Sequence, residues 1–232
     1  MCDFFPEANL KSYIHHDIYD TPLSSLSEEK RLKKRLDKYD HILIPSINSK
    51  KIFERLNLKK QTKFFEIGYH KLSFLKKTNK KVKKKNKSNS IIIAPTNFLS
   101  FPKLSIYNKI DKIIGILLFQ TNFKIIFRPH PSNANSKKVK IIEDKFCRYK
   151  SFQIDKSKNY FKSYSNSFLM ITDISGTAYT YSFLTFNPVI FFSVSKKMIK
   201  KNRYDILSYF KNRNNIGFVV DNEKKLIQFI HR

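Results

Sequence analysis

Short runs that are almost wholly apolar and rich in β-branched residues limit the fold of this chain more than any other feature. Ser90-Ile91-Ile92-Ile93-Ala94 leads into Pro95-Thr96, Phe123–Phe127 contains Ile125-Ile126, and Leu169-Met170-Ile171-Thr172 and Val189-Ile190-Phe191-Phe192 come after. None of them alternates polar with apolar, so neither face of such a strand expects water. A parallel sheet covered by helices on both sides has that property. Helical patterns fill the intervals: Ile110, Ile113, Ile114, Leu117 and Leu118 share one face of an expected helix over Ile106–Phe119, and another is expected from about Ala178 to Thr185. With strands over Ser90–Thr96, Phe123–Phe127, Ser167–Thr172, Pro188–Phe192 and Ile216–Val220 and a terminal helix over Asn222–Ile230, residues 88–232 predict an α/β, Rossmann-like, doubly wound parallel-sheet domain.

Residues 1–75 repeat the rhythm more thinly. A β-prone stretch begins at Lys11 and ends in a loop at Thr21-Pro22, because proline disfavours helix at the residue before it. Ser27 is placed to cap a charged helix running to about Leu36. Tyr39–Ile44 reads as a strand stopped by Pro45, Ser46 or Asn48 then caps a helix through Arg55–Leu56, and Phe64–Tyr69 reads as a brief strand ending at a glycine, Gly68. This is a partial α/β domain. In Lys76–Lys87, eight of twelve residues are lysine. Such a block repels itself and cannot pack, so it predicts a solvated linker between the two domains, or an anchor to anionic lipid headgroups or to a polyanionic substrate.

The whole chain carries 46 Lys+Arg against 18 Asp+Glu, a formal charge of +28. Nucleic-acid binding is the first thought, but the basic residues are 38 Lys and 8 Arg, and bidentate phosphate and base contacts favour Arg. No helix-turn-helix or aromatic-basic motif stands out, so no specific nucleic-acid partner is expected. Cys2 and Cys147 lack metal-ligand spacing and suit a reducing compartment. Met1–Leu10 contains Asp3 and Glu7 and no apolar signal core, and the most apolar stretch, Ile113–Phe127, is broken by Gln120, Asn122 and Lys124. The expectation is a soluble cytoplasmic protein.

Open parallel sheets place ligands beyond the carboxyl ends of their strands. Two loops fall there. In Arg128-Pro129-His130-Pro131 the prolines stiffen the exit from an apolar strand and fix a guanidinium and an imidazole, a pair suited to a phosphate that gains charge as it leaves. The plainer reading is a proline-rich strand exit with Arg128 in a salt bridge. In Asp173-Ile174-Ser175-Gly176-Thr177, Gly176 permits close backbone approach, while Ser175 and Thr177 add hydroxyls to the free N–H groups of a helix start. Plain capping by Ser175 or Asp173 explains the same residues.

In that order, Arg128-Pro129-His130-Pro131, Leu169–Thr177 and Asn187-Pro188-Val189-Ile190-Phe191-Phe192 resemble the nucleotide-binding half of the CDP-glycerol glycerophosphotransferase family, whose members build teichoic-acid-like and capsular polymers. Upstream, His15-His16-Asp17 with Thr21-Pro22-Leu23 is similar to the family's acceptor-side motif, and Gly68-Tyr69-His70-Lys71-Leu72 to its interdomain junction. The resemblance implies a GT-B fold and transfer of a polyol phosphate from a CDP-linked donor to a hydroxyl of a polymer or lipid-linked acceptor, with no metal or other cofactor. It implies His16, or His15, as general base. It gives Arg128 and His130 the donor diphosphate and the departing CMP, and Ser175, Gly176 and Thr177 a phosphate. It also implies work at the inner face of the cell membrane. Gly176 stands where the family usually has a second serine, Thr180 where it has an aspartate, His70 where it has the junction proline, and Asp17 where it has a glycine. The alternatives are a GT-B glycosyltransferase using a nucleotide sugar in capsule or lipopolysaccharide synthesis, and an inactive truncated remnant. A complete amino-terminal domain needs about 100–150 residues, so its first strands are expected to be missing or to come from a partner chain.

Overall fold

A computed structural model of the protein describes residues 8–15, 29–54, 56–59, 61–78, 89–193, 195–201 and 204–231. The elements are β1 (Ser12–Ile14), α1 (Glu29–Leu36), β2 (His41–Ile44), α2 (Ile47–Glu54), β3 (Lys63–Glu66), α3 (His70–Thr78), β4 (Ser90–Ile93), α4 (Tyr107–Gln120), β5 (Lys124–Phe127), α5 (Lys137–Phe146) and β6 (Phe152–Ile154). They continue with α6 (Phe161–Ser165), β7 (Leu169–Thr172), α7 (Thr177–Thr185), β8 (Val189–Phe192), α8 (Lys196–Lys201), α9 (Ser208–Lys211), β9 (Gly217–Val220) and α10 (Glu223–Ile230).

The larger sheet has the order β6-β5-β4-β7-β8-β9 and every pairing in it is parallel. The chain builds outward from β4 to one edge, then returns to β7 and builds to the other. That reversal is the doubly wound pattern, and it opens a crevice between the carboxyl ends of β4 and β7. The isoleucine run explains why β4 lies at the centre. Ile91 and Ile93 face a core with Ile110, Ile114, Phe127 and Leu226, while Ile92 faces a second core with Met170, Tyr179 and Phe191. Each such side chain contributes roughly 1.5–3 kcal/mol on burial. At the start of β9 only glycine fits, since a Cβ on Gly217 would lie 1.7 Å from the Val189 carbonyl oxygen. Helix α7 stops because Phe186 turns left-handed at φ 58° ahead of Asn187-Pro188.

The smaller sheet, β1-β2-β3, is also parallel throughout. One face packs Ile42 and Ile44 against Leu32 and Leu36 of α1 and Phe53 of α2. On the other face Ile14, Leu43 and Phe65 lie side by side in register, with Ile14 50% and Phe65 44% exposed.

Some expectations change. The strand expected over Phe64–Tyr69 ends at Glu66, because Gly68 turns the chain at φ +73°, and helix α3 then runs through Thr78 into the start of the expected linker. Between Arg128 and Leu169 the chain forms α5, β6 and α6, none of them anticipated. The caps and turns expected over His16–Glu28 and most of the Lys76–Lys87 block lie outside the described residues. The two parts meet where Tyr69 Oη bonds Thr180 Oγ1 at 2.8 Å, and where Lys71 Nζ lies 5.1 Å from the centre of the Tyr160 ring.

Candidate active site

Both loops singled out in the sequence leave the carboxyl edge of the larger sheet, β5 running into Arg128 and β7 into Asp173, with β4 between them. Two hydrogen bonds of Asn133 lock the first loop to its neighbour. Asn97, beyond β4, accepts a hydrogen bond from Asn133 Nδ2 at 3.0 Å, and Asn133 Oδ1 accepts one from the Phe98 N–H at 3.1 Å.

Within this loop Arg128 and His130 part company. Arg128 is 8% exposed, pairs with Asp155 at 2.5 Å and donates to the Ser157 carbonyl at 2.9 Å. Burial pushes the Asp155 carboxyl up, but hydrogen bonds from Ser157 and Ser163 and the Arg128 charge outweigh it and hold the carboxyl below its ordinary range. The salt-bridge reading of Arg128 therefore describes the structure, in which its guanidinium is engaged with Asp155 and Ser157 within the fold. His130 is half-buried and caps a short 3-10 turn, Pro131–Asn133, with Nδ1 accepting the Ser132 N–H at 3.2 Å. Burial lowers its basicity. A neutral imidazole whose Nδ1 accepts must carry its proton on Nε2, so this ring offers a neutral N–H donor.

The second loop also differs from the capping explanation. Asp173 is 1% exposed and does not cap α7. Its carboxylate accepts from the Thr96 and Ile106 N–H groups, each at 2.9 Å, and from the Ile174 N–H at 2.6 Å, tying the β4 exit and the start of α4 to β7. Burial pushes this carboxyl up, and the backbone donors oppose that. No side chain closes the start of α7, where Gly176 is the cap residue. Helix-start N–H groups without a capping side chain, at the positive end of the helix dipole, are suited to an anion. Ser175 and Gly176 lie at that start, and the Thr177 hydroxyl bonds the phenol of Tyr164. From the other side, Tyr209 donates its hydroxyl to the Ser175 carbonyl at 2.9 Å.

The two histidines of the acceptor side separate as well. His15 is 2% exposed at the end of β1, its ring edge-on to Phe53 at 5.2 Å, so it sits in the small core and is withdrawn from an acceptor hydroxyl. His16 lies outside the described residues. Sequence reasoning missed Asp155, Tyr164 and Tyr209. The last two come from helices too short to show a period, and the one available signal was the Tyr160–Tyr164 spacing.

Residues 13–232 match the family model described as CDP-Glycerol:Poly(glycerophosphate) glycerophosphotransferase. No curated protein matches the chain in sequence. Among solved structures, the wall teichoic acid polymerase TagF is similar with a TM-score of 0.57 at 18% identity, over 91% of this chain and 54% of that one. A UDP-GlcNAc 2-epimerase from Methanocaldococcus jannaschii is similar with a TM-score of 0.54 at 16% identity, over 84% of this chain and 56% of that one. The chain thus spans about half the length of these structures and shares their GT-B-like α/β fold.

Proposed function

We propose a reaction from one premise, that the chain belongs to the CDP-glycerol:poly(glycerophosphate) glycerophosphotransferase family. The reaction is transfer of glycerol phosphate, or a similar polyol phosphate, from a CDP-linked donor to a hydroxyl of a teichoic-acid-like polymer or lipid-linked acceptor. The acceptor oxygen attacks the phosphorus that bears the polyol. The bond from that phosphorus to the CMP oxygen breaks, CMP leaves with the bonding electrons, and a phosphodiester remains. His16 takes the hydroxyl proton, a task suited to a near-neutral pKa. The Nε2–H of His130 and the start of α7, with Ser175, Gly176 and Thr177, meet the charge that gathers on the departing phosphate. Arg128 acts from behind, fixing β6 and the His130 loop through its pair with Asp155.

The observation that carries this reading is the α7 start, without a side-chain cap, at the sheet's switch point, on the same carboxyl edge as a histidine whose Nδ1 is already occupied. Among the described residues no helix is long and apolar enough to cross a membrane. In this reading the chain docks on the anionic inner face of the membrane through Lys76–Lys87 and the basic side of α1, which carries Lys33 and Lys34. The open face of the small sheet, with Ile14, Leu43 and Phe65 in register, seats a helix layer from a partner chain that completes the acceptor-side domain.

The test is CMP release when the protein, alone and with candidate partner chains, is given CDP-glycerol or CDP-ribitol and a polymer acceptor. Release with either donor is expected. The absence of both CMP release and calorimetric binding of CDP-glycerol would sink the reading.

A further inference from the structure

The hydroxyl of Thr177 lies at the first residue of α7, where a phosphate is proposed to bind, yet in the structure it meets the phenol of Tyr164. Tyr164 is 2% exposed, and Thr177 Oγ1 is the one hydrogen-bond partner of its phenol among the described residues. Two hydroxyls in contact can share one proton in either direction. If Thr177 donated, the buried phenol proton would have no acceptor. If Tyr164 donates, the phenol is satisfied and the threonine O–H is left to point elsewhere. Burial pushes the Tyr164 ionisation far up, so the phenol stays protonated and keeps the donor role throughout the neutral range.

Resting on the glycerophosphotransferase reading, we propose that Tyr164 is a positioning residue that fills the lone pair of Thr177 and so turns its hydroxyl outward as a donor to the departing phosphate. The tyrosine is well held for that purpose. Its ring packs against Tyr160 at 4.8 Å and edge-on to Tyr181 at 5.5 Å. Tyr160 in turn lies under the Arg128 guanidinium at 5.8 Å and the Lys71 ammonium at 5.1 Å. The turn is braced from its far side by the Tyr209 hydroxyl on Ser175. One short helix thereby connects the β5 exit, the α7 start and the junction with the amino-terminal part, which gives Tyr164 a reason to be fixed that packing alone does not supply.

Isothermal calorimetry with two probes, CDP-glycerol and inorganic pyrophosphate, on the full chain tests this. Tyr164→Phe keeps the ring and Thr177→Val keeps the shape, so thermal unfolding within a few degrees of the parent reports intact packing. Each variant should bind both probes about tenfold more weakly, the size of one lost hydrogen bond to a charged group. The double variant should be no weaker than Thr177→Val alone, and Thr177→Ser should keep both the affinity and its dependence on Tyr164. Parent-like binding by Tyr164→Phe, or losses that multiply in the double variant, would overturn the proposal. If the parent binds pyrophosphate and not CDP-glycerol, the substrate reading falls, while the pyrophosphate series still decides the role of Tyr164. If it binds neither, both fall.

Discussion

Replacing Asp155 by Asn examines the most consequential buried interaction of the larger domain. The change removes the counter-charge from a guanidinium that is 8% exposed and leaves it only neutral acceptors, the new amide oxygen and the Ser157 carbonyl. At that burial solvent does little to screen the pair. Removing one partner of such a pair costs about 3–5 kcal/mol, most of it the cost of an uncompensated buried charge. For a chain of this size each kcal/mol lowers the melting temperature by about 2–4 °C, so Asp155→Asn should melt roughly 6–20 °C below the parent. The acid limb should change too. Asp155 titrates below its ordinary value of 3.8 in the folded chain. The unfolded chain therefore takes up the proton first, and the pair's stabilisation is complete above pH 3.8 and lost as the pH falls through the depressed value. That slope should be absent in the variant. A double variant, Arg128→Met with Asp155→Leu, should recover at least half of the loss, because it leaves no lone charge. Differential scanning calorimetry across pH 3–7 reads all three effects. An Asp155→Asn protein melting within 2 °C of the parent, or a double variant less stable than the single, would refute the reasoning. Retained CDP-glycerol affinity in the double variant would locate the role of Arg128 in the scaffold, and loss of affinity would return it to the donor.

Other perturbations separate the remaining parts. His130→Asn keeps a capping acceptor for the Ser132 N–H and removes the ring donor, so CDP-glycerol affinity should fall about tenfold with little change in melting, as calorimetry can show. The same variant should lose a pH effect: the folded-state basicity of His130 is lowered from 6.5, so stability declines as the pH falls from 6.5 through the depressed value, and melts at pH 5 and 7.5 should differ less without the ring. Asp173→Asn turns an NH₂ group toward one of the backbone N–H donors from Thr96, Ile106 or Ile174 and should cost about 1–3 kcal/mol in urea unfolding. Tyr69→Phe removes the partner of the buried Thr180 hydroxyl and should cost about 0.5–1.5 kcal/mol, with faster hydrogen exchange in α3.

The parts of the fold that could be read in the sequence were those buried on both faces. Ile91-Ile92-Ile93 and Val189–Phe192 can be little else than central strands, since helices must cover every residue of them. Strand β6 escaped notice because it is a three-residue edge strand with Gln153 exposed, and short half-wet strands carry no signature. The site followed the same logic. Its loops were legible because Pro129, Pro131 and Gly176 punctuate apolar runs, but their partners were not. Asp155 meets Arg128 only because β6 pairs with β5, and Tyr209 reaches Ser175 from a four-residue helix. Residue types show where a loop begins, whereas tertiary pairing decides which polar groups remain for a ligand. For that reason Arg128, the most conspicuous cation in its loop, proved engaged, and Asp173, an obvious cap for α7, ties down other backbone instead.

The charge distribution leads to a further distinction between recognition and attraction. Lys145 with Asp111, Lys140 with Asp144, and Lys196 and Lys225 with Asp221 form exposed pairs, which contribute little to stability and are weakened by salt. At the switch point the groups that face a ligand in the proposed site are of another kind: backbone N–H groups at the α7 start, a neutral imidazole and hydroxyls. Arg128 with Asp155 and the buried carboxyl of Asp173 are instead turned inward to hold the loops. Fixed dipoles of this sort stabilise charge that develops during a reaction without first having to reorganise. Mobile surface lysines cannot do that, though their summed field draws polyanions and anionic membrane toward the protein. In the proposed reading the formal charge of +28 bears on where the protein goes and how often it meets its acceptor, while chemistry at the phosphate depends on how rigidly a few neutral donors are held.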